Sequence, residues 1–208
     1  MNVEQYLNRI NVNTLHDDPY TNLVHLLKQH VFTVPFENLD VIRKVPITLD
    51  LQRIYEKIVH RHRGGFCYEI NGLFHWLLKE LGYNVKRIAA TVKKNKSEWY
   101  KDHTHLSNIV TLNQKEYVVD AGERYKVTKM NDMIYYVQRY DEEEKEWLTS
   151  YKFTTEEIEF LFFEDMCKWN QSPASPFTQK LIVTLSNEHG RVSLTGKEII
   201  TTIKWLEN

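Results

Sequence analysis

Along residues 1–81 the apolar positions recur at steps of three and four, the spacing of a buried helix face. Val3, Tyr6, Leu7 and Ile10 mark one helix, and Leu23, Leu26, Leu27 and Val31 a second. Leu51, Ile54 and Ile58 mark a third within Leu49 to His60. Between the second and third, the proline of Val34-Pro35-Phe36-Glu37-Asn38-Leu39-Asp40 breaks the pattern. A fourth run, Ile70, Leu73, Phe74, Leu77, Leu78 and Leu81, starts directly behind Arg63-Gly64-Gly65-Phe66-Cys67 and stops at Gly82. It predicts a helix with one buried face and a glycine stop.

From Tyr83 the period changes to that of strands. Val85 to Val92 is rich in β-branched residues. Lys93-Lys94-Asn95-Lys96-Ser97 reads as a solvated loop. Thr104–Leu112 and Tyr117–Ala121 form a predicted hairpin, and Met133–Tyr140 with Lys145–Phe153 another, turning at Asp141-Glu142-Glu143-Glu144. Four consecutive acids in a turn lack the fixed spacing that metal ligands need. Thr154 and Glu157 have the form of a capping box, which predicts a helix over Thr155–Asn170. After the break at Ser172–Phe177, Leu181–Leu185, Arg191–Leu194 and Ile199–Trp205 read as short antiparallel strands. The pattern divides the chain into a helical part (1–82), a β part (83–153) and a smaller mixed part (154–208), an α+β class.

Composition narrows the function. With 12 Tyr, 9 Phe and 5 Trp in 208 residues the chain is a folded protein. A formal charge of −1 removes the electrostatic footprint of a nucleic-acid binder. No apolar run approaches the ~20 residues of a membrane span, and Met1-Asn2-Val3-Glu4-Gln5 carries no apolar leader. Two cysteines, Cys67 and Cys167, make no disulfide framework, so a cytoplasmic location is expected. No cysteine or histidine spacing fits zinc, and no Gly-rich nucleotide loop occurs.

A single cysteine is most often a small buried hydrophobe. Cys67 has more behind it. At the first turn of a helix the backbone N–H groups are free and the dipole is positive. Both favour the thiolate, the nucleophilic form, and Gly64 and Gly65 leave room for a ligand carbonyl to come close. Such a nucleophile wants an imidazole and a group to orient it. If the hairpin turns on Asn113-Gln114, Asp120 faces Ser107 and lies diagonally across from His105 on the same face. Diagonal Cβ atoms are ~7–8 Å apart, within reach of an Asp–imidazole hydrogen bond. A slip of one residue would separate the two.

These segments resemble the arylamine N-acetyltransferase family. Arg63-Gly64-Gly65-Phe66-Cys67-Tyr68-Glu69-Ile70-Asn71-Gly72-Leu73-Phe74 is similar to the signature around that family's nucleophile. Val34–Asp40, Thr104-His105, Tyr117–Gly122 and Ser175-Pro176-Phe177 are similar, in order, to its other segments. The resemblance implies a helical bundle, a β-barrel-like middle and a small α/β lid, with a Cys67–His105–Asp120 triad arranged as in cysteine proteinases. It implies ping-pong transfer from acetyl-CoA, with no metal, to a small aromatic amine, hydrazine or N-hydroxyarylamine, and no nucleic-acid or membrane partner. On the same resemblance Phe36, Phe66, Thr104 and Glu123 are the expected substrate contacts. Where the family usually has Phe-Gly after Asp120-Ala121-Gly122, this chain has Glu123-Arg124. That departure leaves open the same triad working on another acyl donor, as an amide synthase or thioesterase; the stretch that follows it and the segment after Trp205, both shorter than the family's, leave open a binding homologue without turnover.

Overall fold

The computed structural model describes residues 1–120, 125–141 and 144–203. Its N-terminal helices begin at side-chain caps. Asn2 accepts from the Gln5 N–H to start α1 (Val3–Arg9), and Asp18 accepts from Thr21 to start α2 (Pro19–Thr33), with Pro19 in the first turn. A short strand β1 (Phe36–Glu37) and a single turn α3 (Leu39–Ile42) follow the proline break. Asp50 caps α4 (Leu51–Tyr55), which continues as one π-helical turn over Glu56–His60. The nucleophile helix is α5 (Cys67–Glu80), closed by Gly82 at φ 85°.

Helix α5 is buried on every side rather than on one face. Tyr68, Glu69, Asn71, Gly72 and His75 are as enclosed as the apolar stripe. Helices α1 and α4 cover one flank, and the other packs on the large sheet. That sheet is antiparallel, with β2 (Asn84–Val92), β3 (His105–Leu112), β4 (Lys115–Val119), β5 (Tyr125–Lys129), β6 (Tyr135–Asp141) and β7 (Glu146–Phe153) in the order β4-β3-β2-β7-β6-β5. It curls into a nearly closed, barrel-like layer. Pairing of Asn108 with Val119 and of Leu112 with Lys115 gives the β3–β4 register expected from a turn on Asn113-Gln114. Both turn residues sit at positive φ. Strand β5 was not visible in the pattern. A second sheet, β1-β8-β9-β10, joins β8 (Ile182–Asn187), β9 (Gly190–Thr195) and β10 (Glu198–Ile203) to the strand that precedes α3. Residues 82 and 153, where the pattern changes, lie after α5 and at the end of β7, and the β1–β8 pairing joins the N-terminal segment to the C-terminal one.

One predicted helix, over Thr155–Asn170, forms only in its second half. The capping box at Thr154 and Glu157 is absent, and residues 154–159 run without helix. The Ile158 N–H donates to the Arg87 carbonyl at 2.9 Å instead. A 3₁₀ turn (Phe160–Phe163) then leads to the short α6 (Glu164–Asn170). The extended approach seats the Phe160 ring over Gly72, where a Cβ would lie 2.5 Å from a ring carbon. Tertiary packing thereby outweighs a local helix signal.

Candidate active site

Three elements converge on Cys67. Helix α5 places it at the first helical position, where its N–H has no intrahelical acceptor. Strand β3 begins with His105, and Asp120 follows directly on β4. The hairpin register brings Asp120 Oδ2 to 2.7 Å from His105 Nε2. Cys67 lies close enough to the imidazole to act on its titration and shares the wall of two cavities with it. The Sγ atom also lies 3.9 Å from the Thr104 carbonyl.

Burial alone would strip the imidazole of its proton. The Asp120 carboxylate, and then Cys67, outweigh that and hold the His105 pKa well above the ordinary imidazole value. Burial would likewise raise Asp120, yet the facing His105, then Tyr151 and Asn71, keep its carboxyl below the usual range. Asn71 Nδ2 donates to Asp120 Oδ1 and to the Leu106 carbonyl, both at 2.8 Å. The Tyr151 ring lies 5.0 Å from that of His105. The pair is therefore an imidazole held charged against a carboxylate, with Cys67 beside it.

Two cavities meet at this pair and share Phe36, Cys67, Val92 and His105. One, of about 190 Å³, is walled by Ile70, Asn71, Asp120, Ser150 and Tyr151. The other, of about 140 Å³, is walled by Tyr100, Thr104, Trp169, Asn170, Pro176 and Phe177. Among the described residues no group of three or more His, Cys, Asp or Glu side chains is placed to hold a metal. No helix among them is long and apolar enough to cross a membrane.

Of the expected substrate contacts, Phe36 lines both cavities and Thr104 lines the second. Thr104 Oγ1 also accepts from the Val92 N–H at 3.3 Å. Phe66 is on neither wall: its ring is 0% exposed, edge-on to Tyr68 and Phe177. It precedes Cys67 and points into the core, so its part is packing. Glu123 lies outside the described residues, as do Ala121, Gly122 and Arg124. The glycines also differ from expectation. A Cβ on Gly64 would overlap the Pro35 carbonyl oxygen, and one on Gly65 would press on the Glu69 side chain. The close approach they permit is to the Pro35 carbonyl ahead of β1 and to the Glu69 side chain of α5.

Sequence reasoning gave no role to Asn71, Tyr151, Tyr100, Trp169 or Phe177. Asn71 was within reach, since it lies four residues after Cys67 on the same helix face. Phe177 stands in a segment the resemblance had singled out, and it packs against Phe36 and Phe66; Tyr100 and Trp169 had no such signal.

A family model described as N-acetyltransferase matches residues 20–123 and 121–205, most of the chain. The chain belongs to the arylamine N-acetyltransferase family. A pineal gland arylamine N-acetyltransferase isozyme of Gallus gallus is 40% identical over 124 residues, which is 59% of this chain and 43% of the relative's length. Arylamine N-acetyltransferase 2 of Mus musculus is 27% identical over 239 aligned positions, 96% of this chain and 82% of the relative. Among solved structures, the arylamine N-acetyltransferase of M. tuberculosis superposes with a TM-score of 0.87 at 28% identity, over 98% of this chain and 84% of that one. The Mycobacterium marinum arylamine N-acetyltransferase in complex with CoA superposes with a TM-score of 0.83 at 25% identity, over 97% and 87%.

Proposed function

We propose that this arylamine N-acetyltransferase family member moves an acetyl group from acetyl-CoA, through a thioester on Cys67, to an arylamine, arylhydrazine or N-hydroxyarylamine. The observation that carries the reading is the chain Cys67–His105–Asp120 standing where two cavities join. In the first half-reaction the Cys67 thiolate adds to the thioester carbonyl. The Cys67 N–H, free at the helix start, faces the developing oxyanion. The bond from the acetyl carbon to the CoA sulfur breaks, and His105 gives its proton to the departing CoA thiolate. In the second, the amine nitrogen attacks the Cys67 thioester and His105 takes the proton it sheds. Cys67 leaves as thiolate, so the imidazolium–thiolate pair is restored. Asp120 holds one ring orientation throughout.

The smaller cavity supports an aromatic acceptor. Phe36, Tyr100, Trp169 and Phe177 wall it, and an apolar cavity of about 150 Å³ is enough to take a benzene ring. Two buried, unpaired thiols fit a reducing cytosol as the place of action.

The test is intact mass. Incubation with acetyl-CoA is expected to add one acetyl group to Cys67 and release free CoA, and an arylhydrazine is expected to remove it. Cys67→Ala should carry no label; label on that variant sinks the nucleophile assignment. Turnover of other thioesters with none of acetyl-CoA would move the reading to a different acyl donor.

A further inference from the structure

A buried ion network lies against the turn that delivers Cys67, and the acetyl-transfer steps do not use it. Lys57 Nζ sits 2.7 Å from Asp40 Oδ2, 2.9 Å from Glu69 Oε1 and 4.0 Å from Glu37 Oε1. Arg63 Nη2 sits 2.7 Å from Glu37 Oε1 and 3.0 Å from Asp40 Oδ1. The five groups come from the π-helical turn, β1, α3, the turn before α5 and α5 itself. Asp40 thus has both cations. Among the described residues Glu69 has Lys57 alone as an ion-pair partner.

Glu69 is where the network reaches the nucleophile. It stands two residues after Cys67 and is 2% exposed. Its Oε2 accepts the Phe66 N–H at 3.1 Å, so it caps the residue bonded to Cys67. The same carboxylate takes Lys57 Nζ at 2.9 and 3.1 Å. Gly65 leaves just enough room for it. Burial pushes the Glu69 carboxyl up, and the Lys57 ammonium pulls against that. Burial works against the ammonium too, and the carboxylates of Glu69, Asp40 and Glu37 outweigh it. A buried carboxylate stripped of its cation either takes a proton or swings toward water. The swing removes the cap on Phe66, whereas a neutral acceptor left in place keeps it.

We propose that Lys57 is a positioning residue for Cys67: it holds the Glu69 carboxylate in place as the cap on the Phe66 N–H, and so fixes the turn that presents the Cys67 thiol and N–H to an acyl carbonyl. The proposal rests on Cys67 being the nucleophile. It makes a demand that general scaffolding does not. Lys57 is needed because Glu69 is charged. A neutral amide at residue 69 can accept the same N–H with no cation beside it. Removing both charges should therefore be milder than removing Lys57 alone.

The experiment compares K57M, E69Q and K57M/E69Q with the unmodified chain. One readout is the rate of Cys67 alkylation by iodoacetamide at pH 7, by peptide mapping. The other is acetyl-enzyme formation from acetyl-CoA, with kcat and KM separated. K57M should slow both reactions at least about tenfold with KM moved less than about threefold, as displacement of a reacting group does. K57M/E69Q should return to within about threefold of E69Q. Unchanged rates in folded K57M overturn the proposal, as does a double variant as slow as K57M. If K57M does not fold, the double variant decides: folding with the rates of E69Q supports the proposal, and failure to fold or slow rates overturn it. Should the unmodified chain take no acetyl group from acetyl-CoA, the functional reading falls while the alkylation rates still judge Lys57.

Discussion

The two cysteines are both buried, 5% exposed at Cys67 and 2% at Cys167, and both stand on helices near one another's electrostatic reach. Their surroundings differ in every respect that matters to a thiol. Cys67 opens α5, with free backbone N–H groups around it and an imidazolium at its side. Cys167 stands within α6, its sulfur against the Ile47 carbonyl at 3.8 Å and the Gln171 amide at 3.5 Å. Burial, then Glu69, pushes the Cys167 thiol up to about 12. Burial is common to both thiols, so any difference in their reactivity must come from the charge and the free donors around each. Histidines repeat the contrast. His105 is buried with an acid and keeps its proton. His30 is buried without one, stacked on Phe74 and hydrogen-bonded to the Tyr6 hydroxyl, and burial lowers it to about 3.

The largest expected effect comes from erasing what distinguishes the first site. Asp120→Asn keeps the shape but removes the anion that holds His105. Loss of the orienting acid should cut kcat by about 10³-fold or more, read from steady-state rates with an arylhydrazine. A loss below tenfold would mean that His105 is oriented by something else.

The histidine contrast has a pH signature. The unfolded chain protonates His30 near its ordinary value of 6.5, while the folded chain excludes that proton until about pH 3. His75, also buried, behaves the same way, lowered to about 3 by burial and then Arg87. Both contribute stability that is complete above pH 6.5 and is lost as the pH falls below it. The slope is about 1.4 kcal/mol per pH unit for each such group. His105 has the opposite sign: its raised value adds stability below 6.5 that is lost as the pH rises through its folded-state value. Urea unfolding between pH 6.5 and 5 should show the acid-side decline, and His30→Met should flatten it by about one proton. An unchanged slope in that variant would break the comparison.

The smallest effect is expected at Cys167→Ala: activity within about threefold of the unmodified chain and about 1 kcal/mol of lost stability, by urea unfolding. A large loss of acetyl transfer would place Cys167 in the chemistry.

How much of this was legible follows the range of the forces involved. The helix of Cys67 and the β3–β4 register rest on local periodicity and a two-residue turn, and both read directly from residues 70–82 and 104–121. The closeness of His105 and Asp120 followed from that register alone. The start of α6 did not, because Phe160 packing over Gly72 and Ile158 bonding to Arg87 overrule a good capping box. The ion network behind Cys67 was equally silent: Glu37, Asp40, Lys57 and Glu69 are scattered over 33 positions and meet only in three dimensions. Glycines 64 and 65 were singled out from spacing, which shows that something comes close without showing what; in the fold it is Pro35 and Glu69.

The central claim is that the environment of Cys67 makes it the reactive thiol. Competitive labelling with iodoacetamide at pH 7, followed by peptide mapping, measures it in one tube. Cys67 should react at least about 100-fold faster than Cys167, and His105→Ala should slow Cys67 at least about tenfold while leaving Cys167 unchanged. Equal rates at the two cysteines, or a Cys67 rate that ignores the loss of His105, would contradict the account.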